Sequence, residues 1–206
     1  MASNQSSIRR RHQYPSWRRR WFYRLPLVKS METHMITDPI GNRRSEGFPT
    51  SDPLQALEKD HNFVKKLFER YFSTQDQQVK QEAGPEILQL LEMHSSLEEA
   101  TFYPAVQQLD ARLVEECMSE HEQADQLIHQ LKGMDPSNPQ CDAMFQQLRD
   151  AILQHIDAEE KQLFPVVRQS NMDLEALGIQ MQAYESNMVA TLARESQGAP
   201  SSRRGS

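Results

Sequence analysis

Two segments of this chain repeat one pattern of residues able to hold a metal ion. His94-Ser-Ser-Leu-Glu98-Glu99-Ala-Thr-Phe102-Tyr103-Pro104 is matched by His155-Ile-Asp-Ala-Glu159-Glu160-Lys-Gln-Leu163-Phe164-Pro165. Upstream of each copy, by 33 and 34 residues, stands a further histidine preceded by an acid: Asp60-His61 and Glu120-His121. A spacing of four on a helix sets a histidine and a carboxylate one turn apart on a single face. Two such pairs, with His61 and His121, offer six nitrogen and oxygen ligands and no sulfur. That inventory suits a pair of iron ions and suits a structural zinc site poorly.

The four histidines lie on apolar stripes, where an unpaired or charged imidazole is costly to bury. Glu98 and Glu159 lie one turn further along the same stripes. Two carboxylates aimed into a small interior require cations or protons. A pair of divalent irons answers both needs, with neutral imidazoles as terminal ligands and each carboxylate able to bridge the ions. Glu99 and Glu160, rotated by about 100° on a helix, face solvent or support the ligands rather than bind metal. A single histidine on an apolar stripe is usually a satisfied core residue, and a lone His-x3-Glu arises by chance. Two copies in matched register, each with its partner histidine, argue against accident.

Helices must position these residues. Ser51-Asp52-Pro53 reads as a cap with proline in the first turn, opening a helix with Leu57, His61, Val64, Phe68 and Tyr71 on one stripe. A Gln-rich stretch ends at Gly84-Pro85. A second helix then buries Ile87, Leu91, His94, Glu98, Thr101 and Ala105. Asp110 marks the turn into a third, with Leu113, Cys117, His121, Ala124, Ile128 and Leu131. Gly133 to Pro139 breaks the chain before a fourth, with Phe145, Leu148, Ile152, His155, Glu159 and Val166. A short fifth helix, about 173–194, aligns Leu174, Leu177, Met181, Tyr184 and Met188. The expectation is an all-α, up-down-up-down four-helix bundle over 51–170, an additional helix over 171–195, and disordered tails at 1–50 and 196–206.

Composition agrees. Hydrophobic residues make up 37% of the 206 and glycines number seven, which favours helix over an all-β fold. Two cysteines, Cys117 and Cys141, are too few for a disulfide scaffold, so a reducing, cytoplasmic setting is expected. No stretch nears the roughly 20 apolar residues that span a bilayer. Residues 1–31 hold seven arginines and Lys29 without an acid. The remainder has 15 Lys+Arg against 29 Asp+Glu, a net −14, and no nucleic-acid partner is expected for it. The basic segment itself reads as a disordered tail. An organelle-targeting presequence, initiation at Met31 or Met35, and contact with RNA or anionic lipid are its other readings.

Taken together, Asp60-His61, His94-x3-Glu98-Glu99 with Phe102-Tyr103-Pro104, Glu120-His121, and His155-x3-Glu159-Glu160 with Leu163-Phe164-Pro165 resemble the hemerythrin-like (HHE cation-binding) domain across about 52–170. The resemblance implies a four-helix bundle around a non-haem di-iron centre bridged by oxo or hydroxo and carboxylate groups. Its ligands here would be His61, His94, Glu98, His121, His155 and Glu159. Oxygen-carrying members place two histidines a turn apart on the third helix. Here Cys117 and Asp125 flank His121 instead, which aligns the chain with members that repair iron centres or sense iron. The expected function is binding or sensing of O2, NO or iron. The alternative is an enzyme-like role in iron–sulfur repair or in NO or peroxide detoxification during stress. Cys117 reads as a small buried hydrophobe, or as a thiol beside the iron. His129 is expected at the surface or behind the ligands. Tyr71 and Tyr103 are expected to line the bundle, with partners for their hydroxyls.

Overall fold

The computed structural model describes residues 48–198, with side chains through Arg194. The basic segment before Phe48 and the tail after Gly198 lie outside them. Helix α1 (Pro53–Phe72) starts where Asp52 accepts a hydrogen bond from the Gln55 amide at 2.9 Å, with proline at the first helical position. Helix α2 (Gln77–Leu97) is capped by Asp76. It therefore begins eight residues earlier than Gly84-Pro85 suggests. The Gln-rich turns are good helix formers, and exposed Pro85 sits inside the helix. Gly84 is buried there against the Phe145 ring, where an added Cβ would stand 3.1 Å away.

Both long rods that carry a His-x3-Glu pair then widen. Glu98–Phe102 and Glu159–Leu163 are π turns, closed by bonds from Tyr103 N to Glu98 O and from Phe164 N to Glu159 O. A proline ring collides with the carbonyl four residues back. For Pro104 and Pro165 those carbonyls belong to Ala100 and Lys161, inside each π turn. The wider turn relieves that conflict. Short helices α3 (Tyr103–Val106) and α6 (Phe164–Gln169) complete the rods. Helix α4 (Ala111–Lys132) starts at Asp110, as expected, and α5 (Gln140–Ala158) follows the Gly133–Pro139 break.

The π turns correct two stripes. Thr101 is half-buried and Ala105 exposed, whereas Phe102 and Val106 are buried; likewise Val167 replaces Val166. One extra residue per π turn advances the buried face by one position. The α4 stripe needs no such shift: all six of its expected residues are buried.

The four rods form the expected bundle, α1 against α2 and α4 against α5. Helix α7 (Leu174–Gly198) lies against α1, α2 and the first π turn. Phe48, within the segment expected to be disordered, is 1% exposed among Leu54, Phe102 and Met181, and its carbonyl accepts from Gln182 Nε2 at 3.0 Å. An aromatic side chain gains too much from burial there to remain loose.

Among the described residues the core is two apolar clusters with the histidines between them. Leu57 and Val64 flank His61, Leu97 and Met93 flank His94, Cys117 and Ala124 flank His121, and Ala158 and Ile152 flank His155, one residue of each pair in each cluster. Each fully buried Leu, Ile or Phe contributes about 1.5–3 kcal/mol. Layers of them on both sides can offset desolvating a polar core that costs several kcal/mol per ion.

Candidate metal centre

The six expected ligand residues converge. His61, His94, His121 and His155 are at most 9% exposed, and Glu98 and Glu159 are fully buried. His61 Nε2 and His94 Nε2 are 3.1 Å apart, and His121 Nε2 and His155 Nε2 are 2.9 Å apart. The carboxylates lie between these pairs. Glu98 Oε2 is 3.2 Å from His94 Nε2 and 3.4 Å from His121 Nε2. Glu159 Oε2 is 3.2 Å from His61 Nε2 and 3.4 Å from His155 Nε2. Among the described residues these six form two groups able to hold a cation, His61, His94, Glu98 and Glu159, and His121, His155 and Glu98, and Cys117, Glu120 and His155 form a third.

The donor set fits a cation. Glu98 Oε1, Glu98 Oε2 and Glu159 Oε2 are buried without a hydrogen-bond partner. Such oxygens are strongly penalised unless a proton or metal satisfies them. Two nitrogens at right angles on one ion, each bound at about 2.1 Å, are about 3.0 Å apart, close to both Nε2–Nε2 distances. Protons compete for the same atoms: although burial opposes it, Glu159 raises the His155 imidazole well above its ordinary range, and Glu159 and Glu160 raise His61. Burial and the charge of Glu159 push the Glu98 carboxyl well above its usual range. Glu159, although desolvated, is held well below it by His155 and His61. Burial and neighbouring His155 lower His121 to about 4, against the pull of Glu99.

A ring of carboxylates stands behind the imidazoles. Glu160 Oε1 is 2.8 Å from His61 Nδ1, Glu99 Oε1 is 3.2 Å from His121 Nδ1, and Glu120 Oε2 is 3.1 Å from His155 Nδ1. Asp60 Oδ2 makes a longer contact of 3.5 Å to His94 Nδ1. A carboxylate here accepts, so a neutral His61, His121 or His155 carries its proton on Nδ1, which leaves the Nε2 lone pair aimed inward for a cation. Of the two expected placements for Glu99, solvent is ruled out, because it is buried behind His121. The roles of Asp60 and Glu120 go beyond the sequence reading. The signal was present in the acid that precedes a histidine in both copies.

Other expectations resolve locally. Tyr103 Oη donates to Glu159 Oε1 at 2.9 Å and lies 3.3 Å from His121 Nε2. Burial and the charges of Glu159 and Glu98 push its phenol well above the ordinary range. Tyr71 Oη donates to Asp142 Oδ1 at 3.0 Å, away from the centre. Cys117 is fully buried, as a small hydrophobe is, and its sulfur also lies within 4.8 Å of ligand atoms of His155 and Glu120. Burial raises its thiol pKa. His129 is exposed. A cavity opens on the histidine side, walled by Val64, Leu90, Leu91, Ile128, Ile152 and Ile156, with half-buried Asp125 at its edge.

The sequence model of the Hemerythrin HHE cation binding domain matches residues 52–167, more than half of the chain. The chain belongs to that family. As a hemerythrin-like protein it is similar to a DNA nickase from Nostoc sp. (strain PCC 7120 / SAG 25.82 / UTEX 2576), at 29% identity over 165 residues. That match covers 78% of this chain and 47% of the nickase, so the chain spans about half the length of that curated relative. Among solved structures, the hemerythrin HHE cation binding domain-containing protein from Mycobacterium kansasii, an Rv2633c homolog, shares the fold at a TM-score of 0.55 and 22% identity. It covers 68% of this chain and 95% of its own. Among the described residues no helix is long and apolar enough to cross a membrane.

Proposed function

We propose that this hemerythrin-like domain holds two iron ions and uses them to bind or sense O2 or NO. One observation carries the reading: three buried carboxylate oxygens without hydrogen-bond partners stand among four inward-facing Nε2 atoms. His61, His94, Glu98 and Glu159 would hold one ion, and His121, His155 and Glu98 the other. When bound, the pair would supply redox change and an exchangeable coordination position. The chain's own residues do the rest. Glu160, Glu99 and Glu120 fix the imidazole tautomers, and the two carboxylates offset the cationic charge. The Val, Leu and Ile side chains of the cavity, set beside Asp60, Ser95 and Asp125, leave a small space next to the histidines that suits a small ligand.

The nickase's action on DNA is not extended to this chain. Residues 32–206 carry a net −14, which repels a phosphate backbone from the bundle, while the eight cations of residues 1–31 stand outside that balance. Anaerobic purification with metal quantitation tests the proposal, together with near-ultraviolet spectra before and after O2 or NO. The expected result is about two irons per chain and a reversible spectral change. A folded, colourless chain that takes up no iron would overturn it.

A further inference from the structure

The two copies of the repeat supply equivalent histidines and glutamates, but they differ by one oxygen atom beside the centre. The first copy ends Phe102-Tyr103-Pro104 and the second Leu163-Phe164-Pro165, so Tyr103 and Phe164 hold matching positions. Their rings pack on matching histidines. Phe164 stacks on His61 at 5.9 Å between centroids, and Tyr103 meets His121 at 5.4 Å. Only the tyrosine carries a hydroxyl, and that hydroxyl donates to Glu159 Oε1 at 2.9 Å. The consequence appears in the buried oxygens. Both oxygens of Glu98 lack a hydrogen-bond partner, whereas only Oε2 of Glu159 does.

We propose that Tyr103 is a positioning residue that makes the two cation positions inequivalent by tying up one oxygen of Glu159. With Oε1 held by the phenol, Glu159 offers Oε2 alone, 3.2 Å from His61 Nε2 and 3.4 Å from His155 Nε2. Glu98 keeps both oxygens for cations. Glu98 Oε2 and Glu159 Oε2 each reach a histidine at both positions, so the inequivalence lies in Glu159 Oε1, which the phenol withdraws. The hydroxyl stands 3.3 Å from His121 Nε2, so the withdrawn oxygen is lost to the His121–His155 position, which is the poorer in donors. The first equivalent of metal therefore fills the His61–His94 position. The second enters the His121–His155 position more weakly, and it is the one that leaves first. This inference rests on the two-cation reading of the site.

The test is an anaerobic Mn2+ titration of the full chain, freed of metal beforehand and followed by calorimetry and electron paramagnetic resonance. A hydrogen bond to a charged group changes an equilibrium by about tenfold or more, so the wild-type chain should bind two equivalents in steps separated by at least about that factor. At one equivalent its spectrum should be that of isolated Mn2+, with the coupled-pair signal growing only during the second. Tyr103→Phe frees Glu159 Oε1 and should bring the steps together, so that coupled pairs form from the first addition. Phe164→Tyr places a hydroxyl at the matching position beside His61. Combined with Tyr103→Phe, it should separate the steps again. A role in packing alone would change the melting temperature without moving the ratio of the two steps. Two equivalents bound with equal affinity by the wild-type chain, or a step ratio unchanged in folded Tyr103→Phe, would overturn the role of Tyr103. Uptake of fewer than two equivalents would instead overturn the two-cation reading beneath it.

Discussion

The first half of the bundle (53–106) and the second (111–169) build one frame of histidines and glutamates and surround it differently. In each, one rod supplies a histidine, the next supplies a histidine and a glutamate, and a π turn begins at that glutamate. The surroundings diverge behind the second acid of each pair. Glu99 is buried behind His121, and α7 lies over its π turn, with Ser96 Oγ 2.8 Å from Tyr184 Oη. Glu160 is 27% exposed behind His61, has Lys65 Nζ at 3.7 Å, and is followed by exposed Lys161 and Gln162. Convergence of six side chains on one buried point leaves no room for drift, so the frame is common to both halves. The support behind it answers only to local packing and solvent, and there the halves part.

The sharpest way to break this comparison is to remove the residue that both clusters share. Glu98 belongs to each histidine pair, while His61 belongs to one. Glu98→Ala is expected to abolish nearly all metal uptake, and His61→Ala to leave about one ion per chain at the other pair. Metal quantitation on folded variants decides it. Equal retention by the two variants would mean that Glu98 is not shared.

A smaller effect separates the two supporting acids. Removing a carboxylate that orients a metal-bound histidine typically costs about 10- to 100-fold in affinity. Glu99→Ala should reach that range, because it leaves His121 Nδ1 without its carboxylate in a buried place. Glu160→Ala should cost less, since water can reach the freed His61 Nδ1 through the exposed side. Competition with a chelator of known affinity measures both. Equal losses would show that exposure does not distinguish the halves.

The convergence of the six side chains was legible because its signals are periodic. His94 and Glu98, or His155 and Glu159, are one helical turn apart in any straight helix, and duplication raised them above chance. The α4 stripe was legible for the same reason. What escaped depended on the local departure from that period. Thr101 was assigned to the wrong face because it lies inside a π turn, and Ala105 and Val166 because each follows one, although the prolines at 104 and 165 stand in plain sequence. The contacts of Asp60, Glu99 and Glu120 join one rod to another, and no spacing within a rod encodes which imidazole each will meet. The seat of Phe48 was hidden likewise, since its partners on α7 lie more than a hundred residues away.

That seat gives the mildest test of whether the extra covering of the first half is separable from its ligand frame. Gly178 lies in α7 directly against the Thr50 backbone, where an added Cβ would meet the Thr50 carbonyl oxygen and stand 2.7 Å from Thr50 Cα. A backbone cannot step aside as a side-chain tip can, so Gly178→Ala should destabilise by about 1–3 kcal/mol, as overpacking does. Gly84→Ala is the control. Its Cβ would meet the edge of the Phe145 ring at 3.1 Å and Tyr71 Cε2 at an ordinary 3.7 Å, and alanine gains up to about 1 kcal/mol in a helix interior, so the net change should be near zero. Thermal melts should rank the two, and both should keep the metal content of the parent chain. Loss of metal in Gly178→Ala would tie α7 to the centre through the Tyr184–Ser96 contact, two residues before Glu98. The covering of the first half would then be part of its chemistry rather than an addition to it.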